Sequence, residues 1–168
     1  ISERLAWVDY LDEEGIERRY LPRKEDFAYK RSPFQRNGRG NGWIITRACF
    51  SLPQGDPKVI RAAMDHHAAD REEKGHFRYP CAGSVFKNNR DFGEPTGKLI
   101  DRLGLKGRRI GDAMIAPFHG NIIINTGEAR TKDILALIEL AEEAVYGAYG
   151  FKLEREVLLV GDWPETKE

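Results

Sequence analysis

The chain has 168 residues, with 27 Lys+Arg against 27 Asp+Glu, so its formal net charge is zero. It is 40% hydrophobic and 10% aromatic, enough to build a packed core, which argues against a disordered chain. The charge balance gives no reason to expect nucleic acid or an anionic membrane as partner.

Apolar runs such as Ile122–Ile124 are too short to span a bilayer, and Ser2-Glu3-Arg4 interrupts any leader-like stretch. Cys49 and Cys81 match no metal-ligand spacing. They read as reduced, buried cysteines of a cytosolic protein. The start at Ile1 rather than Met leaves room for a segment upstream.

In chain order, Leu5 to Leu11 and Ile16 to Leu21 read as a β-hairpin whose turn ends at Gly15. Residues 31 to 42, with Pro33, Gly38, Gly40 and Gly42, read as a mobile loop. Trp43 to Leu52 reads as a strand with Ile44, Ala48, Phe50 and Leu52 on one face. Asp56-Pro57 opens a helix, Asp as cap and Pro at the first helical position. Val59, Ile60, Ala63, Met64 and His67 form its stripe, and Gly75 ends it.

A short strand is expected over 83–87 and a helix over 95–103, burying Leu99, Ile100 and Leu103 and stopping at Gly104. Strands over 109–116 and 121–125 follow. A long helix over 132–148 has Thr131 as its cap and buries Ile134, Leu137, Ile138, Ala141 and Val145. The final strand is expected over 156–160, with a solvated tail after Gly161. Helices and strands mix without regular βαβ repetition, so the fold class is α+β, a mixed or antiparallel sheet packed with helices.

Four segments carry chemistry-bearing residues. In Pro80 to Asn88, small residues lead to Ser84, then Lys87 and Asn88. This suits a ligand approaching the backbone and an anion held by Lys87 and Asn88, although the residues alone favour the plainer reading, a tight turn into a buried strand. Glu154-Arg155-Glu156 enters Val157–Val160 and places a carboxylate at a pocket edge or at a solvated strand end. Gly104 to Gly111 carries three glycines and three cations, which fits phosphate or a plain surface loop. His119-Gly120-Asn121 reads as a hairpin turn with a hydrogen-bonded His. The adjacent His66 and His67 point about 100° apart on a helix and do not share a metal.

Taken in order, Ala82-Gly83-Ser84-Val85-Phe86-Lys87-Asn88, Gly97-Lys98-Leu99-Ile100-Asp101, Gly104-Leu105-Lys106-Gly107, His119-Gly120-Asn121 with Asn125-Thr126-Gly127, and Leu153-Glu154-Arg155-Glu156-Val157 resemble one family. It is the UDP-N-acetylenolpyruvoylglucosamine reductases, the MurB flavoenzymes of peptidoglycan synthesis. The resemblance runs from about Trp7 to Gly161 and is to the family's shorter branch. It implies that residues 1–52 are the last strands of a PCMH-type FAD-binding domain and residues 53–168 the substrate-binding domain. The glycine-rich pyrophosphate loop of the family's N-terminal domain has no match here, so the residues that bind the cofactor stay unassigned.

The family activity is a two-step relay in which NADPH reduces FAD, and hydride then passes to the double bond of UDP-N-acetylglucosamine enolpyruvate. The resemblance implies that Ser84 donates a proton and that Glu156 acts as an acid toward the substrate carboxylate. The family's Tyr-Arg-x-Ser-x-Phe segment corresponds to Tyr29-Lys30-Arg31-Ser32-Pro33-Phe34. Lys30 therefore stands where an Arg grips the carboxylate, keeping the charge but losing the two-pronged fork. Arg31, on a strand, would face the other way. Asn88 and Lys74 match substrate-contacting residues, and Tyr29 and Lys87 join that set. Gly111-Asp112-Ala113-Met114-Ile115-Ala116 departs from the family's Gly-Gly-Ala-Gln-Val-Ser. A UDP-sugar-binding module without redox chemistry, or an inactive fragment lacking the flavin domain, is the alternative.

Overall fold

A computed structural model of the chain describes residues 1–35 and 42–161. The glycine-rich part of the loop expected over 31–42 and the tail after Gly161 lie outside the described residues. The chain divides into two compact units, Ile1–Arg61 and Ala62–Glu168.

The first unit is a three-stranded antiparallel sheet of β1 (Leu5–Leu11), β2 (Glu17–Tyr20) and β3 (Ile44–Phe50), in the order β2-β1-β3. The expected hairpin is present. Asp12 Oδ1 accepts the N–H groups of Glu14 and Ile16, and Gly15 takes φ +76°, where a side chain would strain. On the central strand Val8 and Tyr10 are buried, and Tyr10 stacks on Trp43 at 4.0 Å. Asp9 is buried too, and its carboxylate takes Arg19 at 2.7 Å and Arg47 at 3.1 Å. The Arg19 hydrogen bond, more than burial opposes it, holds that carboxyl below the usual range.

Two expected apolar faces are exposed instead. On β3, Ile44 is 63% and Phe50 44% exposed, and Leu52 lies beyond the strand's end. β3 is an edge strand, and among the described residues this unit supplies no second layer over it. Helix α1 (Pro57–Glu73) begins as expected, with Asp56 Oδ1 accepting the Lys58 N–H at 2.8 Å. Yet none of its residues is buried, so the Val59–Ile60–Met64 stripe faces solvent. Its end is a Schellman motif: Gly75, at φ +79°, donates to Glu72, and His76 donates to Arg71.

The second unit is a four-stranded antiparallel sheet in the order β4-β7-β6-β5. Its strands are β4 (Cys81–Ser84), β5 (Arg109–Ile110), β6 (Ala113–Ile115) and β7 (Ile122–Asn125). Between β4 and β5 lies α2 (Thr96–Arg102), and after β7 comes α3 (Thr131–Tyr149). The strand expected over 109–116 is broken by a tight turn at Gly111-Asp112, where Gly111 takes φ +54°. The strand expected over 83–87 ends at Ser84.

β7 lies inside the sheet, and its three isoleucines are buried on both faces. Ile123 packs with Val85, Phe86, Ile115, Leu137 and Ile138, while Ile122 and Ile124 pack with Ala116. Each large apolar side chain so buried contributes roughly 1.5–3 kcal/mol. Helix α3 buries Leu137, Ile138, Ala141 and Val145, as its periodicity predicts. It starts one residue early: Thr131 is already helical, and Asp133 caps the end by accepting the Arg130 N–H at 3.1 Å. No strand forms over 156–160, where Leu158 and Val160 are exposed. The α+β class with antiparallel sheets is the one expected.

Both cysteines are free, but neither is buried. Cys81 is exposed because β4 is an edge strand, and Cys49 is half-buried on β3.

Candidate functional site

Ser84 ends β4, opposite Ile122 of β7. Two residues, Ala82 and Gly83, lie between Cys81 and Ser84, while only Ile123 lies between their partners Ile124 and Ile122, so β4 bulges at Ala82-Gly83. Gly83 sits at φ +82°, the left-handed geometry of a glycine bulge. A bulge re-aims the side chain that follows it, and here that side chain is the exposed Ser84.

Beyond the bulge the chain is held on two sides. On one, the Val85 N–H goes to the Asn121 carbonyl at 2.9 Å. On the other, the Val85 carbonyl accepts the Glu156 N–H at 2.8 Å and the Val157 N–H at 3.3 Å. Lys87 donates to the Glu154 carbonyl at 2.8 Å, and Phe86 bridges Arg155. Ser84 and Glu156 thus lie on neighbouring stretches of backbone joined at Val85. Glu156 is half-buried.

The remaining residues expected at the site have definite places. The Lys87 ammonium pairs with the Glu154 carboxylate, and the Lys87 carbonyl accepts the Thr96 hydroxyl at 2.9 Å. Asn88 Oδ1 accepts the Thr96 N–H at 3.0 Å, tying the entry of α2 to the loop after β4. Lys74, at the end of α1, pairs with Asp70 at 2.7 Å. Ser84, Lys87, Asn88 and Glu156 therefore gather around one strand end.

Tyr29 and Lys30 belong to the first unit. The segment expected as a strand is a tight turn, with Ala28 and Arg31 exchanging N–H···O bonds of 3.1 Å. Lys30 takes φ +54°, the only non-glycine residue in that region among the described residues. Such a backbone costs about 1–2 kcal/mol and persists only where its surroundings hold it. The Gln35 amide does so, donating to the Lys30 carbonyl at 2.8 Å and accepting the Ser32 N–H at 3.2 Å.

The glycine- and cation-rich stretch 104–111 is ordinary connection. Gly104 ends α2 in a Schellman motif, Lys106 pairs with Asp101, and Arg109 pairs with Asp112. His119 is the hydrogen-bonded turn histidine expected, its Nδ1 accepting the Asn121 N–H at 3.1 Å. Burial first, and the neighbouring His76 second, hold its pKa below the ordinary value.

Two features escaped the sequence. Asn121 uses its side chain on Phe86, where the motif read only as a turn. Arg155 makes a two-pronged pair with Glu142 of α3. A buried Asn just before an isoleucine run is the one signal that points to the first. Among the described residues no cluster of three metal-ligating side chains occurs, and no helix is long and apolar enough to cross a membrane.

Comparison with known proteins places this geometry. The family model described as UDP-N-acetylenolpyruvoylglucosamine reductase, C-terminal domain, matches residues 75–160. The chain is similar to the UDP-N-acetylenolpyruvoylglucosamine reductase of Treponema denticola, 44% identical, over 97% of this chain and 53% of that protein. It is similar to the protein of the same name from Borreliella burgdorferi, 39% identical, over 96% of this chain and 52% of the relative. Among solved structures it resembles the crystal structure of UDP-N-acetylenolpyruvylglucosamine reductase (MurB) from Thermus caldophilus. There the TM-score is 0.71 at 34% identity, covering 97% of this chain and 54% of that one. The chain spans about half the length of these relatives.

Proposed function

Because this chain belongs to the UDP-N-acetylenolpyruvoylglucosamine reductase family, we propose that it forms the substrate-binding part of a flavin-dependent oxidoreductase. That enzyme reduces UDP-N-acetylglucosamine enolpyruvate to UDP-N-acetylmuramate at the expense of NADPH, in cytoplasmic peptidoglycan precursor synthesis. The observation that carries the reading is the meeting of Ser84 and Glu156 at Val85, with Ser84 presented by the Gly83 bulge.

Residues 1–52 are the end of the flavin-binding domain on this reading, and residues 53–168 are the substrate domain. No glycine-rich loop that would cradle a dinucleotide pyrophosphate is found among the described residues. This chain's residues fit the substrate side, and FAD is held chiefly by residues outside it. On this reading the exposed apolar side chains of β3, Ile44, Ile45 and Phe50, are the face on which the rest of the flavin-binding domain packs.

FAD, when bound and reduced by NADPH, would supply the hydride that saturates one end of the enolpyruvyl double bond. The other end, next to the carboxylate, is left with carbanion character. Ser84 Oγ gives its proton to that carbon, which is basic enough to take it from a hydroxyl. Glu156 faces the substrate carboxylate as an acid and stabilises the charge that delocalises onto it. By the resemblance, Lys30 stands where the family's Arg grips the substrate carboxylate, and it keeps the positive charge of that position. Lacking the guanidinium fork, it stabilises the transition state less than an Arg would. Asn88, Lys87, Lys74 and Tyr29 bind the rest of the UDP-sugar.

The test is absorption and turnover. After incubation with FAD and desalting, the chain alone stays colourless, whereas the flavin-loaded holoenzyme carrying it is yellow and oxidises NADPH only when the UDP-sugar is added. NADPH consumption indifferent to the UDP-sugar contradicts the reading.

A further inference from the structure

The sheet pairing that holds Ser84 stops short of where the site needs it. Ser84 pairs with Ile122, and the next rung toward Phe86 falls where the chain bends at His119-Gly120. That bend packs tightly on α2, since a Cβ on Gly120 would stand 2.4 Å from the Gly97 carbonyl oxygen. The rung to Phe86 is made instead by a side chain. Asn121 Oδ1 accepts the Phe86 N–H at 2.9 Å, and its Nδ2 donates to the Phe86 carbonyl at 2.8 Å. Asn121 is 2% exposed, so both bonds form away from water.

A backbone rung accepts any side chain, but this one needs an amide of one length. Asp has no donor for the Phe86 carbonyl, Gln is a methylene too long, and Ala leaves both Phe86 groups without their partner. On the opposite edge, the Val85 carbonyl carries the N–H groups of Glu156 and Val157. The stretch 85–86 is thus clamped by Asn121 on one side and reads out its position to Glu156 on the other, with Ser84 the residue before it.

We propose that Asn121 is a positioning residue for the reduction: its amide fixes residues 85–86, and through them the placement of Ser84 relative to Glu156. This rests on the proton-donor role of Ser84 proposed above.

The test uses Asn121→Asp in the flavin-loaded holoenzyme carrying this chain. The kcat falls about 10- to 100-fold, as a displacement near 1 Å at a reacting group produces, while KM for the UDP-sugar moves less than about threefold. In a Ser84→Ala background the same substitution changes the residual rate less than about twofold, because an absent donor cannot be misplaced. A kcat within about twofold of the parent, or losses that simply multiply, overturns the proposal. A residue that only held the fold would lower the unfolding midpoint and leave that cycle multiplicative.

If the Asp variant does not fold, Asn121→Ser, smaller and uncharged, is read in the same way. Amide hydrogen exchange in the chain itself supplies a readout independent of turnover. The Phe86 and Glu156 amides exchange at least about tenfold faster in the variant, and unchanged protection at both contradicts the arrangement. Failure of the underlying reading is visible separately, as full activity in Ser84→Ala alone.

Discussion

Arg155 grips Glu142 of α3 with two nitrogens, Nε to Oε1 and Nη2 to Oε2, at 2.6 Å each. The pair fastens to α3, whose inner stripe is buried, the segment whose next residue is Glu156 and whose backbone is bonded to Val85. Both side chains are about a quarter exposed, 27% and 26%. The pair therefore stands between surface ion pairs worth under about 1 kcal/mol and buried ones whose breaking costs about 3–5 kcal/mol. Glu142→Ala is expected to lower the unfolding free energy by about 1–2 kcal/mol, measured by urea unfolding at constant m. A loss below about 0.5 kcal/mol would show that the pair does not anchor the segment.

Two glycines are predicted to resist a single added methyl for different reasons. At Gly83 nothing stands within 4 Å of a built Cβ, so Gly83→Ala is opposed by its φ of +82° alone, at about 1–2 kcal/mol. At Gly120 the φ is ordinary, but the Cβ would meet Gly97 O at 2.4 Å and Asp101 N at 3.2 Å. Gly120→Ala therefore forces the turn off α2, costing about 1–3 kcal/mol. Thermal unfolding of the two variants checks both, and parent-like stability in either refutes its cause.

Much of this was legible in the sequence, and the failures share a cause. The β1–β2 hairpin, the Asp56-Pro57 helix start, the α2 stop at Gly104 and the α3 stripe are all encoded locally, in caps, turns and spacing. The stripes of β3 and α1 are apolar, but apolar spacing does not say what covers it. Within the described residues those side chains are exposed. The stretch 109–116 looked continuous because a two-residue turn at Gly111-Asp112 leaves little mark on alternation. The run Glu156–Val160 has strand composition, but its bonding to Val85 and Phe86, through Arg155 and the amides of Glu156 and Val157, is too short a ladder to make a strand. At the site, Ser84 and Glu156 come from the family resemblance. The Asn121 rung depends on a contact 35 residues away, which local pattern does not encode.

His119 gives the stability a pH dependence whose sign follows from its surroundings. Burial and the charge of His76 hold the folded-state pKa below the ordinary 6.5, and Nδ1 is occupied as acceptor of the Asn121 N–H. Above 6.5 both folded and unfolded states carry it neutral, and it contributes nothing to the slope. As the pH falls below 6.5 the unfolded chain takes up the proton first, so stability is lost as pH falls. The unfolding midpoint is expected to drop as the pH falls below the ordinary histidine value, and His119→Asn to flatten that drop. The same slope in parent and variant would assign it elsewhere.

Lys30 couples strain to the proposed chemistry. Its backbone sits at φ +54°, so Lys30→Gly is expected to stabilise the chain by about 0.5–1 kcal/mol. The same variant lacks the charge proposed to meet the substrate carboxylate, so in the holoenzyme kcat/KM is expected to fall. Lys30→Arg restores the two-pronged donor and raises kcat/KM above the parent. A Gly variant that is both more stable and fully active removes Lys30 from the site, and an Arg variant at or below the parent removes the carboxylate role.

The measurement that bears most directly on the whole account is a pair of rates in the flavin-loaded holoenzyme with Ser84→Ala. Reduction by NADPH should proceed within about twofold of the parent, since Ser84 has no part in it. Turnover of the UDP-sugar should fall by about 100- to 10,000-fold, the contribution of a positioned proton donor. Equal loss in both rates would point to a damaged fold. Undiminished turnover would contradict the placement of the proton donor on the bulge after Gly83.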